Sequence, residues 1–323
     1  MEWTNFPAKD LVLRFLDYEA RCNLRVCSKE NRDLIDSSQF VASRIVLVDI
    51  PSNMDAEKSI LRLSIDTFTI WFIGKQEKTR IERAWNGEPM EICETKLENR
   101  VDVLKRFIEK FLKNGLFEAT TVKIIRTSME PSDHWRIKCT DFTLISPGTP
   151  SQWILNWMNK VETQLKELDV QNWTLEGISE IPCVLTVSDK LHLADGADFG
   201  DEQLATVEAT DLQISSTNIT PVGIKRAFEH YLKNGRPNDS LLLFVNIPED
   251  FDLMTIFPKE MKVTAMRELL PDEKIFKISG GFQNRHGHQG PRICALSRRI
   301  FQVRMDRTIG TKHEYILWPF PFR

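Results

Sequence analysis

Two stretches of this chain, 120 positions apart, carry the same order of residue types, and that repetition restricts the fold more than any other feature. Residues 101–125 read VDVLKRFIEKFLKNGLFEATTVKII, and residues 222–246 read VGIKRAFEHYLKNGRPNDSLLLFVN. Laying 112–115 on 232–235 pairs Lys105 with Lys225, Arg106 with Arg226 and Glu109 with Glu229. Each copy predicts an amphipathic helix, then Asn-Gly, then a β-rich run at 121–125 or 241–246. The Asn-Gly end predicts a left-handed cap, which glycine adopts without a Cβ clash. A second echo, at an offset of 70, relates 140–146 to 210–215; both read as strands ahead of a helix. Residues 152–165 place Trp153, Trp157, Val161 and Leu165 at four-residue spacing, predicting one helix, with a strand at 167–170.

The strand–helix–strand rhythm recurs about three times, and strands joined by a crossover helix should lie parallel, with right-handed crossovers. The class is therefore α+β or α/β. Units stacked in this way form an irregular leucine-rich-repeat-like α/β solenoid or a curved open sheet. The consensus spacing of true leucine-rich repeats is absent, and an ordinary α/β sandwich is the alternative. Upstream, 44–49 is a short β-branched strand ended by Pro51, and the alternation across 61–72 predicts one or two strands. The Gly/Asp-rich 195–201 and the run SGGFQNRHGHQGP at 279–291 read as loops. A terminal β segment is expected within 292–323, as 292–305 and then 313–318.

The first forty residues have a different texture. Phe6-Pro7 opens a helix on which Leu11, Val12, Phe15 and Leu16 form one stripe. Asp17 is placed to cap a second helix over 18–27, with Ala20, Leu24 and Cys27 on one side. Ser28 is placed to cap a third over 29–37, with Leu34 and Ile35 inward. Three such helices are too small to bury a sufficient core alone and need a partner surface. Val26 lies off the main stripe, which leaves a second contact face.

The segment NFPAKDLVLRFLDYEARCNLRVCSKENRDLI resembles an F-box. The resemblance implies a helical module over residues 2–45 that binds a Skp-family adaptor and through it a cullin–RING ubiquitin ligase. By position, the adaptor contacts fall on Phe6, Pro7, Leu11, Phe15, Leu16, Leu24 and Val26. Two positions depart from the common pattern. Arg21 stands where many F-boxes carry an apolar residue, and Asn31 stands near the place of a common Trp. Arg21 followed by Leu-Arg-x-Cys-Ser resembles the divergent F-box families of nematodes. The segment TNITPVGIKRAFEHYLKNGRPNDSLLLFV is similar to the F-box-associated domains behind nematode F-boxes. That likeness implies that residues 46–323 recruit a protein target whose identity the sequence does not give. A protein-binding scaffold without a ligase link is the alternative.

The chemistry-bearing residues do not assemble into a reaction centre. GKQEKT at Gly74 lacks the upstream glycine of a phosphate loop, and SGGFQNRHG lacks the strand–helix setting of a dinucleotide site. Cys22 and Cys27, five apart on one helix, read as packing residues, and no Cys-x-x-Cys pair is present for zinc. His286 and His288 read as a solvated loop, and no Gly-x-Ser-x-Gly elbow occurs. The expectation is a non-enzymatic protein without cofactor or metal. The Arg cluster at 285, 292, 298, 299, 304 and 307 reads as the solvent face of strands, with a site for an acidic peptide or phosphorylated residue as the alternative, and the aromatic run 315–323 as a plug on the last sheet, or else an exposed anchor for a partner. A formal net charge of −3 argues against a strongly basic nucleic-acid or membrane-surface binder. With no long apolar run, no secretory signal and six scattered cysteines, the expected compartment is reducing, cytoplasmic or nuclear or both.

Overall fold

A computed structural model describes residues 13, 16, 18–38, 41–50, 59–75, 78–112, 115–127, 129–146, 148–194, 196–248, 251–257, 259–270, 273–279, 284–285, 292–296 and 300–305. Two helices, α1 (Tyr18–Cys27) and α2 (Lys29–Ser37), stand where the N-terminal pattern expects them. Ser28 caps α2 from an extended conformation, its side chain accepting from Asn31 N at 3.0 Å.

The chain then enters one large mixed sheet. Strands β1 (Ala42–Ile50), β2 (Ser59–Ile65), β3 (Phe68–Lys75), β4 (Lys78–Trp85) and β5 (Glu88–Lys96) form an antiparallel meander. The alternation across 61–72 resolves into two strands, β2 and β3. The β4–β5 hairpin is absent from the sequence expectation, although Asn86-Gly87 announces it. Their φ values of 50° and 85° are what a tight primed turn between twisted strands requires.

Helix α3 (Arg100–Phe111), capped by Asn99, packs on β2, β3 and β4 and leads into β6 (Leu116–Ile125), which pairs parallel to β1. A short strand β7 (Arg136–Lys138) pairs with the start of β6. Then come β8 (Asp141–Ile145), α4 (Ser151–Met158), β9 (Glu167–Gln171), a 3-10 turn (Ile178–Glu180), α5 (Pro182–Leu185) and β10 (Lys190–Ala194). These are followed by α6 (Asp201–Thr206), β11 (Asp211–Ser215), α7 (Pro221–Asn234) and β12 (Ser240–Phe244). Strands β6, β8, β9, β10, β11 and β12 are parallel rungs, each beside the next in sequence. Val122, Phe142, Leu168, Leu191, Leu212 and Leu241 therefore stand side by side, separated by 20, 26, 23, 21 and 29 residues. The rhythm runs through five connections rather than three, because short turns and single-turn helices replace full helices in several of them.

Each rung alternates. Val122/Ile124, Phe142/Leu144, Leu168/Val170, Leu191/Leu193, Leu212/Ile214 and Leu241/Leu243 are all no more than 3% exposed. They join Trp153, Ile154, Trp157 and Met158 of α4 and Ile224, Phe228, Tyr231 and Leu232 of α7 in one core. Each such side chain stabilises the fold by roughly 1.5–3 kcal/mol relative to exposure. The sheet ends in an antiparallel set, β13 (Lys262–Leu270), β14 (Glu273–Ser279), β15 (Arg292–Leu296) and β16 (Ile300–Met305), with β16 pairing against β12. The β segment expected at 292–305 is β15 and β16; 313–318 and the aromatic run 315–323 lie outside the described residues.

Five expectations need correction. The helix expected over 152–165 stops at Met158, because the next residues are used for pairing. Ile137 N donates to Lys160 O at 2.7 Å, Glu162 N donates to Ile137 O at 2.9 Å, and Val161 bridges Ile137. Leu165 is fully buried from a loop instead. The two Asn-Gly ends also differ. Gly115 is left-handed (φ 80°), but Gly235 sits at φ −61°. At the end of α7 a side chain does the capping: Asn284 Nδ2 donates to Leu232 O at 2.9 Å and Gly235 O at 3.0 Å. Asn284, 3% exposed, lies within the run 279–291 expected to be a loose loop, so part of that run is tied to α7. The 195–201 loop is likewise built in, with Phe199 fully buried and Asp198 accepting from Gly177 N and Ser179 N. Cys27, expected to pack inward, is exposed.

Candidate functional site

The N-terminal helices carry the residues with the sharpest expectation. Of the seven expected contacts, Phe6, Pro7, Leu11 and Phe15 lie outside the described residues. Leu16 and Leu24 are half-buried, and Val26 projects from α1 at 77% exposure.

Behind these residues lies Arg21, 4% exposed. Each of its three nitrogens bonds a different acceptor: Nη2 to Leu13 O at 2.5 Å, Nε to Leu16 O at 3.2 Å and Nη1 to Ser38 Oγ at 2.9 Å. Ser38 caps the end of α2, and its hydroxyl donates onward to Ile35 O at 2.8 Å. Burial pulls the guanidinium below its usual pKa. Sequence reasoning marked Arg21 only as a departure from a pattern. Its acceptors include two backbone carbonyls and a hydroxyl 17 residues away, and no local motif announces them.

A second surface was also missed. On the rungs, the residues between the buried ones face away from the core and are half-exposed. Lys123, Thr143, Asp169, His192, Gln213 and Leu242 form one row across the sheet. Thr121, Asp141, Glu167, Lys190 and Asp211 form a parallel row. Three of the carboxylates in these rows are partnered: Thr121 Oγ1 donates to Asp141 at 3.3 Å, Gln171 Nε2 to Asp169 at 3.1 Å and Ser240 Oγ to Asp211 at 2.9 Å. Burial lowers the pKa of His192, and Lys190 lowers it further, against the opposing pull of Asp211 and Asp169. The period-two alternation of each rung was the available signal.

Burial pushes the thiols of Cys139 and Cys183 up to about 12 and about 11, which leaves them poor nucleophiles. Among the described residues no group of three His, Cys, Asp or Glu side chains is arranged to hold a metal ion. Among the same residues no helix is long and apolar enough to cross a membrane. His286, His288 and most of the Arg cluster lie outside the described residues or side chains. Arg285 is exposed, and its backbone N–H donates to Lys233 O.

Comparison with known families finds an F-box domain at residues 6–42. No curated protein and no solved structure matches the chain. The matched span holds Arg21, α1, α2 and all seven expected contacts. F-box domains in general bind Skp-family adaptors and thereby cullins, and serve substrate recognition in Skp–cullin–F-box ubiquitin ligases.

Proposed function

We propose that this chain is the substrate-recruiting subunit of such a ligase. Residues 2–45 dock on the Skp-family adaptor, and residues 46–323 present an unidentified protein target. The observation that carries this reading is the F-box domain at residues 6–42 together with a side chain, Val26, exposed on its helices. The work done is positioning: a bound target held near the transfer machinery reacts at a raised effective concentration. The bond-making chemistry belongs to other subunits, the chain is no enzyme, and it takes no nucleic acid, membrane, cofactor or metal as partner. Its place is the cytoplasm, the nucleus or both.

The recognition domain is leucine-rich-repeat-like and of the kind that follows nematode F-boxes. Rung spacings of 20–29 residues, each rung carrying an apolar-x-apolar core, support this, because leucine-rich repeats have periods in that range. The half-exposed rows through Asp169 and His192 are the surface on which the target lies, since stacked repeats build continuous binding faces from such positions.

Co-expression with a Skp-family adaptor tests the first half. The wild-type chain retains the adaptor through purification, and Leu16→Asp or Val26→Asp releases it. Retention unchanged by both substitutions, or no retention by wild type, refutes the reading.

A further inference from the structure

We infer that Arg21 is a positioning residue for adaptor docking, acting as a buried three-way clasp that fixes the start of the F-box against its end. The inference rests on the docking reading above and adds a residue that touches no adaptor. Two acceptors of the guanidinium, Leu13 O and Leu16 O, precede α1; the third, Ser38 Oγ, lies at the far end of α2. Leu16 is therefore both an expected contact and a direct acceptor of the clasp. Leu24 stands three residues beyond Arg21 on α1, and Val26 shares that helix at 77% exposure. One side chain thereby links the backbone at Leu16 to the helix that carries Leu24 and Val26.

Geometry favours arginine over any other residue here. The planar fork reaches three acceptors in three directions, whereas a lysine ammonium is a point charge with a different reach. An apolar residue of similar length packs in the same space but joins nothing, and it removes the charged donor from Leu13 O, Leu16 O and Ser38 Oγ. The module has little core of its own, so these bonds carry a larger share of its definition than they would in a large domain.

The test uses the full chain, a purified Skp-family adaptor, and the variants Arg21→Met, Arg21→Lys, Ser38→Ala and the Arg21→Met/Ser38→Ala double. Two readouts are taken: the dissociation constant, and amide exchange in the free chain. The expected result is adaptor binding weakened by about tenfold or more in Arg21→Met and nearly as much in Arg21→Lys, as loss of charged hydrogen bonds implies. Exchange at Leu16 and Ser38 speeds, while the middle of α1 and the rungs at Leu168 and Leu191 stay protected. The losses in the double variant add up to less than the sum of the two single losses, because Arg21 and Ser38 share one bond. Wild-type binding with Arg21→Met within twofold of it overturns the inference alone. Full exchange of every α1 and α2 amide in Arg21→Met also overturns it, making Arg21 a stabiliser and not a positioner. A wild type that does not bind the adaptor overturns the docking reading and this inference with it.

Discussion

Asn172 joins two loops of the parallel rungs, and replacing it with alanine measures how those rungs are held together. It follows β9 and is 3% exposed. Its Oδ1 accepts from Gly148 N at 3.0 Å, in the loop after β8, and its Nδ2 donates to Thr149 O and Thr174 O, both at 2.9 Å. Alanine leaves one donor and two acceptors without that partner. A buried polar group left unsatisfied costs ~1–3 kcal/mol. Gly148 and Thr174 border solvent, so water replaces part of what is lost. The sum is about 3 kcal/mol, which lowers the melting temperature by roughly 6–12 °C for a domain of this size. Thermal unfolding followed by circular dichroism reads this directly. Asn172→Asp keeps an acceptor for Gly148 N but loses both donors, so it falls clearly below wild type as well. A shift under about 2 °C for Asn172→Ala, or an Asn172→Asp as stable as wild type, refutes the claim that this side chain joins the loops.

Two further perturbations follow from the same packing. Gly115 is left-handed (φ 80°), and a Cβ there would lie 2.0 Å from Trp135 Cδ1. Trp135 is 1% exposed and its Nε1 donates to Glu109 at 2.5 Å, so the ring cannot swing aside. Gly115→Ala should therefore destabilise by about 2–4 kcal/mol, combining backbone strain with overpacking. Gly87 has a similar φ of 85° but nothing within 4 Å of the added Cβ, so Gly87→Ala should cost only about 1 kcal/mol; equal losses in urea unfolding would contradict this difference. The third concerns pH. Burial lowers the folded-state pKa of His192 below its unfolded value. Above about pH 6.5 the residue is neutral in both states and contributes nothing. Below it the unfolded chain takes up a proton that the folded chain does not, so stability falls as pH drops. His192→Gln should flatten that part of the stability–pH curve between pH 7 and 5.5, and an unchanged slope would refute the assignment.

The sequence revealed periodicity well and long-range satisfaction poorly. The spans of α1 and α2 followed from local pattern, and Ser28 caps α2 as expected, while Asp17, expected to cap α1, lies outside the described residues; the parallel rungs followed from helix–strand alternation, likewise a local property of the chain. Val161 and Leu165 continued a four-residue spacing yet left the helix, since pairing with Ile137 was the stronger demand. Asn284 and Phe199 lay in runs that read as loose loops, although one caps a distant helix and the other fills the core. Arg21 is the same case within the candidate site. Its residue type looked misplaced until the fold supplied two carbonyls and Ser38 around it. The outward rows through His192 were implicit in the alternation of every rung, but their alignment depends on register, which comes only from strand pairing.

The central claim is that the N-terminal helices dock on a Skp-family adaptor through an exposed apolar face. Titrating the purified full chain with that adaptor tests it most directly, with Val26→Asp as the comparison. Val26 is 77% exposed, so the substitution alters the surface and leaves the fold intact. The account predicts a one-to-one complex, weakened about 30-fold in Val26→Asp, corresponding to about 2 kcal/mol of lost apolar burial. No complex with the wild-type chain, or one that Val26→Asp leaves unchanged, would contradict it.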